Sequence, residues 1–531
     1  VANSGPAGGD VRGGAAVEPG RAGEEHEMGL GVPTYDLLER PWIPVRRLGQ
    51  ADVDLVGLRE LFTHAHELAD LAVPLPPAAA GLWRVLYALT ARIADLRPQE
   101  WLDQRLDLLD QGHFDPEDIE AYCGKHAGAF DLFGPRPWMQ EPTLRQQCPA
   151  PSGINKLVFG RPTGSNQVWF GHFTDARPEP VPTPEAIQHL LIQHYYGPSG
   201  RCTARKAGDG QLANSTKGIL RSTLSYHPVG DTLFESLLLG LPSPGDDPGG
   251  QPDDLCPWER TQPLDPLGRP PYPSWPGGLL TGRSRHAVLL LPDATGANVI
   301  DAYVTWAWRE PGADVPDPYL IYQLSKENNL YGRRAEIERG LWRDLDALLR
   351  HTSLGSQPRR PQVFDGLKEL PSELLNRVRI RAYGFDQDGQ TREKRWLSAL
   401  TPPVLHRMEE ASKEAPQQIG LLREHAEALG EKLKTVLIGA WHQATATTDK
   451  AKTGPWAVRA ARFYWPAAER EFWDRLAAEE IDTSPDRFRE LAHDAIDAAL
   501  SETDEAKRTV AKAIAAAHRN LNRKNRGKES T

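Results

Sequence analysis

Tyr35-Asp-Leu-Leu-Glu-Arg-Pro-Trp-Ile-Pro-Val45 places a short apolar run between prolines, and Leu58-Arg-Glu-Leu-Phe62 follows it after a polar break. Trp42, Ile43 and Val45 read as a buried β-strand. Pro41 and Pro44 bring no backbone N–H to a ladder, which predicts a strand at the edge of its sheet. The Leu58–Phe62 run has helical spacing. A strand and a helix this close together open a mixed α and β region.

Working outward, Leu82, Val85, Leu86, Leu89 and Ile93 recur at three and four, which predicts a helix over Pro76–Leu96. Residues 134–185 and 241–280 are rich in Gly and Pro and read as connections or functional loops. Arg285–Leu291 and Ala302–Trp308 read as strands. The spacing of Leu341, Leu345 and Leu348 predicts a helix over Gly332–Leu349. Residues 33–370 therefore form one large mixed domain. Beyond 371 the character becomes helical. Ile419, Leu422, Ala426, Leu429, Leu433, Val436 and Ala440 alternate spacings of three and four, the seam that bundles use. A second helix spans about Trp456–Ala478 and must bend or break near Pro466. A third pattern starts at Phe488 and Leu491 and continues through Val510, Ile514, Ala517 and Leu521. A further helix near Leu370–Val378 or Lys394–Leu400 makes four. The expected fold class is α+β, a large mixed N-terminal domain followed by a C-terminal four-helix bundle over 371–520. Residues 1–32 read as a disordered leader, and 521–531 as a basic tail.

The chain has 531 residues, more than one ordinary core accommodates. Its net charge of −10 argues against a protein that coats nucleic acid with its whole surface, while leaving room for a local basic groove. No apolar run reaches the ~18 residues of a membrane span, so no membrane partner is expected. The four cysteines, at 123, 148, 202 and 256, show no CxxC spacing. That predicts reduced thiols in a cytoplasmic protein and no zinc site. No nucleophile elbow, zincin, phosphate-loop or His-Asp nuclease signature is present. His64 and His66, near Glu67 and Asp70, sit at a spacing that puts them on different faces of a helix. His113 with Asp115 and Glu117 is a similar case. No catalytic residue, metal or cofactor is expected.

Three segments carry chemistry. Arg201, Arg205, Lys206, Lys217 and Arg221 set five cations against one anion, Asp209, within 21 residues. Gly197, Gly200, Gly208, Gly210 and Gly218 are interspersed. Glycines let backbone N–H groups approach phosphates and cations neutralise them; the same composition also describes a solvated flexible loop. The run Tyr383-Gly-Phe-Asp-Gln-Asp-Gly-Gln-Thr-Arg392 reads as a turn before a helix carrying Lys394 and Arg395. Gly153–His172 interleaves Asn155, Lys156, Arg161, Asn166, Gln167, Trp169 and Phe170, a mixture suited to single-stranded RNA and equally to a surface loop.

The Trp-Ile-Pro-Val opening, the Leu-Arg-Glu-Leu-Phe helix with Ala65-His-Glu-Leu68, Pro137-Trp-Met-Gln140 and Gly340-Leu-Trp-Arg-Asp-Leu345 occur in the order found in one family. The chain resembles the large subunit of the type I-E CRISPR Cascade surveillance complex, the CasA family. The resemblance implies a non-catalytic subunit that reads the protospacer-adjacent motif (PAM) of double-stranded target DNA and helps to open the duplex. It also implies a role in stabilising the R-loop and recruiting a helicase–nuclease. It implies crRNA and the other Cascade subunits as partners. By position, Gly197-Pro-Ser-Gly200 matches the family's minor-groove loop, although no run of consecutive glycines stands there. Arg201, Arg205, Lys206 and Lys217 would add phosphate contacts. Gln390, beside Gly389 and Thr391, matches a glutamine wedge under the PAM, with Gln387 as the competing position. Asn155, Lys156, Arg161, Asn166, Trp169 and Phe170 match a long loop that docks on crRNA and neighbouring subunits. On the residues alone two other classes stay open, a stand-alone metal-dependent hydrolase and a helical scaffold without nucleic-acid contact.

Overall fold

The computed structural model describes residues 33–163, 171–245, 254–336, 338–350, 358–387, 393–478, 480–501 and 508–523. The opening strand β1 (Ile43–Arg47) lies between β2 (Asp54–Val56) and β3 (Leu68–Leu71), antiparallel to both, with α1 (Leu58–Thr63) between the outer strands in sequence. The edge position expected from its prolines is therefore wrong. Pro44 removes one donor from the ladder, but its carbonyl still accepts from the Ala72 N–H at 2.8 Å. Burial of Ile43 and Val45 outweighs the single missing bond. Trp42 anchors the sheet, with its indole N–H on the Leu37 carbonyl at 3.0 Å and its ring 6.0 Å from that of Trp138.

The central helix α2 (Pro76–Ile93) begins with two prolines, tolerated in a first turn whose N–H groups have no helical acceptor. Every residue but Arg92 is buried, so it runs through the interior. It packs on α3 (Thr183–Tyr196), and Gly81 makes the approach possible: a Cβ there would stand 2.8 Å from the Tyr195 ring. Arg84, buried on α2, pairs with Asp317 at 3.0 Å and lies over the Tyr319 ring.

Next come the hairpin β4 (Gly200–Ala207) and β5 (Gly210–Ser215), then β6 (Leu224–Val229), then β7 (His286–Pro292) paired with β8 (Asn298–Trp306). Strand β9 (Arg379–Gln387) lies between β6 and β10 (Glu393–Leu400), all antiparallel. Two expectations fail here. Lys394–Leu400 is a strand rather than a helix, and Leu370–Val378 holds only the helical turn Ser372–Leu375. The chain past 371 thus still completes a sheet whose first strand, β6, lies far upstream. Ile380 and Ala382 are buried beside the partly buried Arg379 and Arg381, and from Ala382 to Phe385 the strand is buried on both faces between its two neighbours. The expected helix over Gly332–Leu349 is also shorter, a 3₁₀ turn at Leu341–Asp344 running into Leu345–Leu349, because Leu330–Gly332 pairs with Tyr322–Leu324.

The bundle consists of α4 (Ala415–Thr445), α5 (Trp456–Ala477), α6 (Asp486–Leu500) and α7 (Arg508–Asn522). The expected seam is present, with Ile419, Leu422, Ala426, Leu429, Leu433 and Ala440 buried. Helix α5 continues through Pro466 instead of breaking. The fourth helix comes from the long third pattern, which is two helices; residues 502–507 between them lie outside the described residues. The bundle is seated by Trp342, whose ring lies 4.9 Å from Phe472 and 6.5 Å from Trp465. Arg343 pairs with Glu427 at 2.7 Å and Arg423 with Asp346 at 3.0 Å across the same joint.

Candidate nucleic-acid interface

Strands β9 and β10 converge on residues 388–392. These, with Gly389, Gln390 and Thr391 among them, lie outside the described residues. Gln387 is the last residue of β9. It is 6% exposed, and its carbonyl accepts from the Ser222 hydroxyl at 2.6 Å. The competing wedge position is thus built into the base of the hairpin, where its amide faces protein. Lys394 and Arg395 stand exposed on β10, and Lys394 pairs with Asp386 at 3.2 Å. Trp396, 39% exposed, covers Phe385 with ring centroids 5.7 Å apart.

The Gly-rich basic segment is a β-hairpin, not a flexible loop. Helix α3 ends at Gly197, where a Cβ would meet the His286 ring and the Gln193 carbonyl at 2.5 and 2.6 Å. That glycine serves packing. Gly200 has φ +113° with open space around it, so its backbone conformation demands glycine. The Pro198 carbonyl between them accepts from His286 Nε2 and from the Ser215 hydroxyl, both at 3.0 Å. Arg205 is 1% exposed. It donates to Gln147 Oε1 at 2.6 Å and to the Trp306 carbonyl at 3.0 Å, bracing the hairpin against β8. Burial pulls its guanidinium pKa down. Arg205 is therefore a structural cation and leaves the set of DNA contacts; its position on an inward face of β4 is the reason. Arg221, also buried, donates to the Tyr196 carbonyl at 2.8 Å. Arg201, Lys206 and Lys217 remain on the surface.

In the third segment Asn155 and Lys156 lie on the helical turn Ile154–Leu157. Asn155 is buried and donates to Asp175 Oδ1 at 2.9 Å, so its amide serves the protein rather than an RNA strand. Gln193 of α3 donates to the carbonyls of Lys156 and Leu157 at 3.0 and 3.1 Å and holds this turn in place. Arg161 reaches the Glu179 carbonyl at 2.7 Å and lies over the Phe173 ring. Asn166, Trp169 and Phe170 fall outside the described residues.

These segments meet at Phe385. Its ring lies 6.0 Å from Phe159, 6.3 Å from Tyr196 and 5.7 Å from Trp396. The end of α3, the 153–163 segment and the β9–β10 hairpin are thereby brought to one aromatic cluster, which sequence reasoning missed. The charged and apolar alternation of Arg379-Ile-Arg-Ala382 was the available sign that a strand leads to Phe385. Two buried histidines support the same corner. His194 contacts the Ser284 hydroxyl and the Met139 carbonyl, both at 2.8 Å, and burial holds both it and His286 at about 4. Among the described residues no group of three or more His, Cys, Asp or Glu is placed to hold a metal ion, and no helix is long and apolar enough to cross a membrane.

The profile of the family described as CRISPR-associated protein Cse1 matches residues 36–517. The chain belongs to the Cse1 family. The resemblance read from the opening strand and the motifs after it is borne out. The CRISPR-associated protein CasA/Cse1 of Thermus thermophilus is 29% identical over 478 residues, covering 86% of this chain and 89% of that protein. A chain solved within a CRISPR RNA-guided surveillance complex is 42% identical with a TM-score of 0.82, covering 92% of this chain and 99% of that one. The crystal structure of Thermobifida fusca Cse1, 19% identical, shares the fold at a TM-score of 0.73 over 92% of this chain and 98% of its own. The Cse1 fold, mixed α and β followed by four helices, is the one described above.

Proposed function

We propose that this Cse1 chain is a non-catalytic subunit of a CRISPR RNA-guided surveillance complex, bound there to crRNA and companion subunits. In this reading it recognises the PAM of duplex DNA, starts strand separation, stabilises the R-loop and recruits a helicase–nuclease. The observation that supports it is the convergence at Phe385. The 153–163 segment, the end of the helix that precedes the basic hairpin, and the β9–β10 strands share one aromatic base at Phe385, with Lys394 and Arg395 exposed on the strand that carries Trp396. Protein that reads a short duplex motif while RNA pairing reads the sequence is the division of labour of guided recognition.

The test is reconstitution with and without the chain. A crRNA-loaded assembly lacking it should still pair with single-stranded target but fail to open a PAM-bearing duplex. Equal opening rates in the two assemblies sink the reading. The hydrolase alternative makes the opposite demand: turnover of DNA, RNA or ATP with divalent metal by the pure chain, abolished by changing His64 or His66. We expect none.

A further inference from the structure

A cavity of about 200 Å³ opens where the 136–142 segment, the 257–264 segment and the start of β7 meet. Part of its wall is apolar and rigid. Trp258 is 3% exposed, stacks on Trp138 with ring centroids 6.1 Å apart, and donates from its indole to the Tyr122 hydroxyl at 2.9 Å. Met139 beside it stands in the left-handed region at φ +54°, and its carbonyl accepts from His194 Nε2 at 2.8 Å. A non-glycine residue rarely takes that conformation, so the surrounding fold holds this part of the wall in place.

The charged lining is one-sided. Arg136, Arg205 and Arg260 stand against Glu141 alone, and burial keeps His194 and His286 neutral. Glu141 turns one oxygen to the Thr143 N–H and hydroxyl, at 3.1 and 2.7 Å. Arg205 is consumed by Gln147 and the Trp306 carbonyl. Arg136 and Arg260 are not. Among the described residues their guanidinium groups reach only the Arg260 and Leu255 carbonyls, each at 3.4 Å. The carboxylates near Arg260 are Asp254 and Glu259, and Arg92 holds both, at 2.7 and 2.8 Å. The Gln262 amide also lines the cavity, on an exposed residue.

We propose that this cavity binds one unpaired nucleotide, with the base against Trp258 and Met139 and the phosphate on Arg136 and Arg260. A cavity of about 150 Å³ accepts benzene, so this one accommodates a ring system. Stacking on an aromatic wall beside arginines is a common way to hold an unpaired base. A guanidinium meets a phosphate through two parallel hydrogen bonds, and an amide such as that of Gln262 can bond a base edge. An apolar ligand would leave both arginines unpaired in a partly desolvated site, and a bare anion would leave the apolar wall uncovered. Two sources supply this chemistry, a free nucleotide and an unstacked base within a strand. A depression of about 20 Å³ across Trp308 is lined by Arg283 and Arg285, and Arg283 Nη1 is buried without a hydrogen-bond partner. A strand would place its next phosphate there.

The experiment titrates the full chain at low salt, by calorimetry, with AMP, UMP, inorganic phosphate and a short single-stranded oligothymidylate. One saturable site should take the mononucleotides roughly tenfold tighter than phosphate. Arg136→Glu, at an exposed position, should leave the melting temperature unchanged and weaken that binding roughly tenfold or more; Arg260→Gln should weaken it likewise. If the source is a strand, the oligonucleotide binds tighter than the mononucleotides and Arg285→Gln removes that gain alone. If it is a free nucleotide, the mononucleotides bind at least as well and Arg285→Gln changes nothing. No saturable mononucleotide site overturns the proposal. So does phosphate binding as tight as nucleotide binding, or binding indifferent to Arg136→Glu. Equal displacement by the dipeptide aspartyl-phenylalanine overturns it in favour of an acidic peptide.

Discussion

At the scale of single residues, position along a strand separates binding groups from bracing groups. Gln390→Ala should slow opening of matched duplex by the assembled complex. It should matter much less on a target already mismatched beside the PAM, where no unstacking is needed. Gln387→Ala, at a buried position, should instead lower stability by about 1 kcal/mol, the usual size of a point-mutant effect. Equal opening rates for wild type and Gln390→Ala remove the wedge from this turn. The cations divide in the same way. Lys206→Ala with Lys217→Ala should flatten the salt dependence of DNA binding by roughly 0.9 slope units per lost contact, read from log affinity against log salt. Arg205→Ala should leave that slope alone and cost about 1–3 kcal/mol in a urea titration, because the Trp306 carbonyl loses its donor. The five cations were legible in the sequence. Which of them point inward was not, since that depends on the register of β4 against β5 and β8.

At the scale of elements, the buried histidines tie strands and helices together in their neutral form. His227 on β6 lies between the Tyr87 hydroxyl at 3.2 Å and the Ser225 hydroxyl at 3.1 Å, and burial holds its pKa well below the usual value. His194 on α3 and His286 on β7 are lowered to about 4 by the same cause. The unfolded chain takes up protons at these sites near pH 6.5, and the folded chain does not until near pH 4. The unfolded state thus binds more protons in that window, so stability is full above about pH 6.5 and falls as pH drops toward about 4. Each histidine contributes up to ~1.4 kcal/mol per pH unit. Urea midpoints at about pH 7.5 and about pH 5 should differ accordingly; coincident midpoints contradict the burial described here. Of the elements around these histidines, α2, β7 and β8 were readable, because their apolar patterns are strong. Strand β10 was misread because Lys394-Arg-Trp-Leu-Ser-Ala-Leu400 has a half-exposed surface with no clean period.

At the scale of the whole molecule, the bundle and the mixed region are joined through Trp342 and the arginine–carboxylate contacts around Glu427 and Asp346. Trp342→Ala should cost about 3–5 kcal/mol, the range for truncating a buried large aromatic. It should also let limited proteolysis release a fragment beginning between residues 401 and 414, ahead of α4. A loss below ~1 kcal/mol with no fragment would mean that the bundle is seated elsewhere.

Whatever depends on neighbours close along the chain was written in the sequence: the α2 helix, the α4 seam, the compositional change toward the C-terminus, and the motif order that marks the Cse1 family. Periodicity and turn chemistry act over a few residues, so they are encoded locally. Other features depend on partners far apart, and only the packed chain settles them. Pro44 stands in a central strand because β3 closes the other side of β1. Arg205 and Asn155 are consumed internally because Gln147, Trp306 and Asp175 arrive beside them. Phe385 gathers Phe159, Tyr196 and Trp396 because β9 adds to a sheet begun far upstream at β6. Burial is a property of the packed whole, and the role of a polar side chain follows from whether its partners are water, ligand or protein.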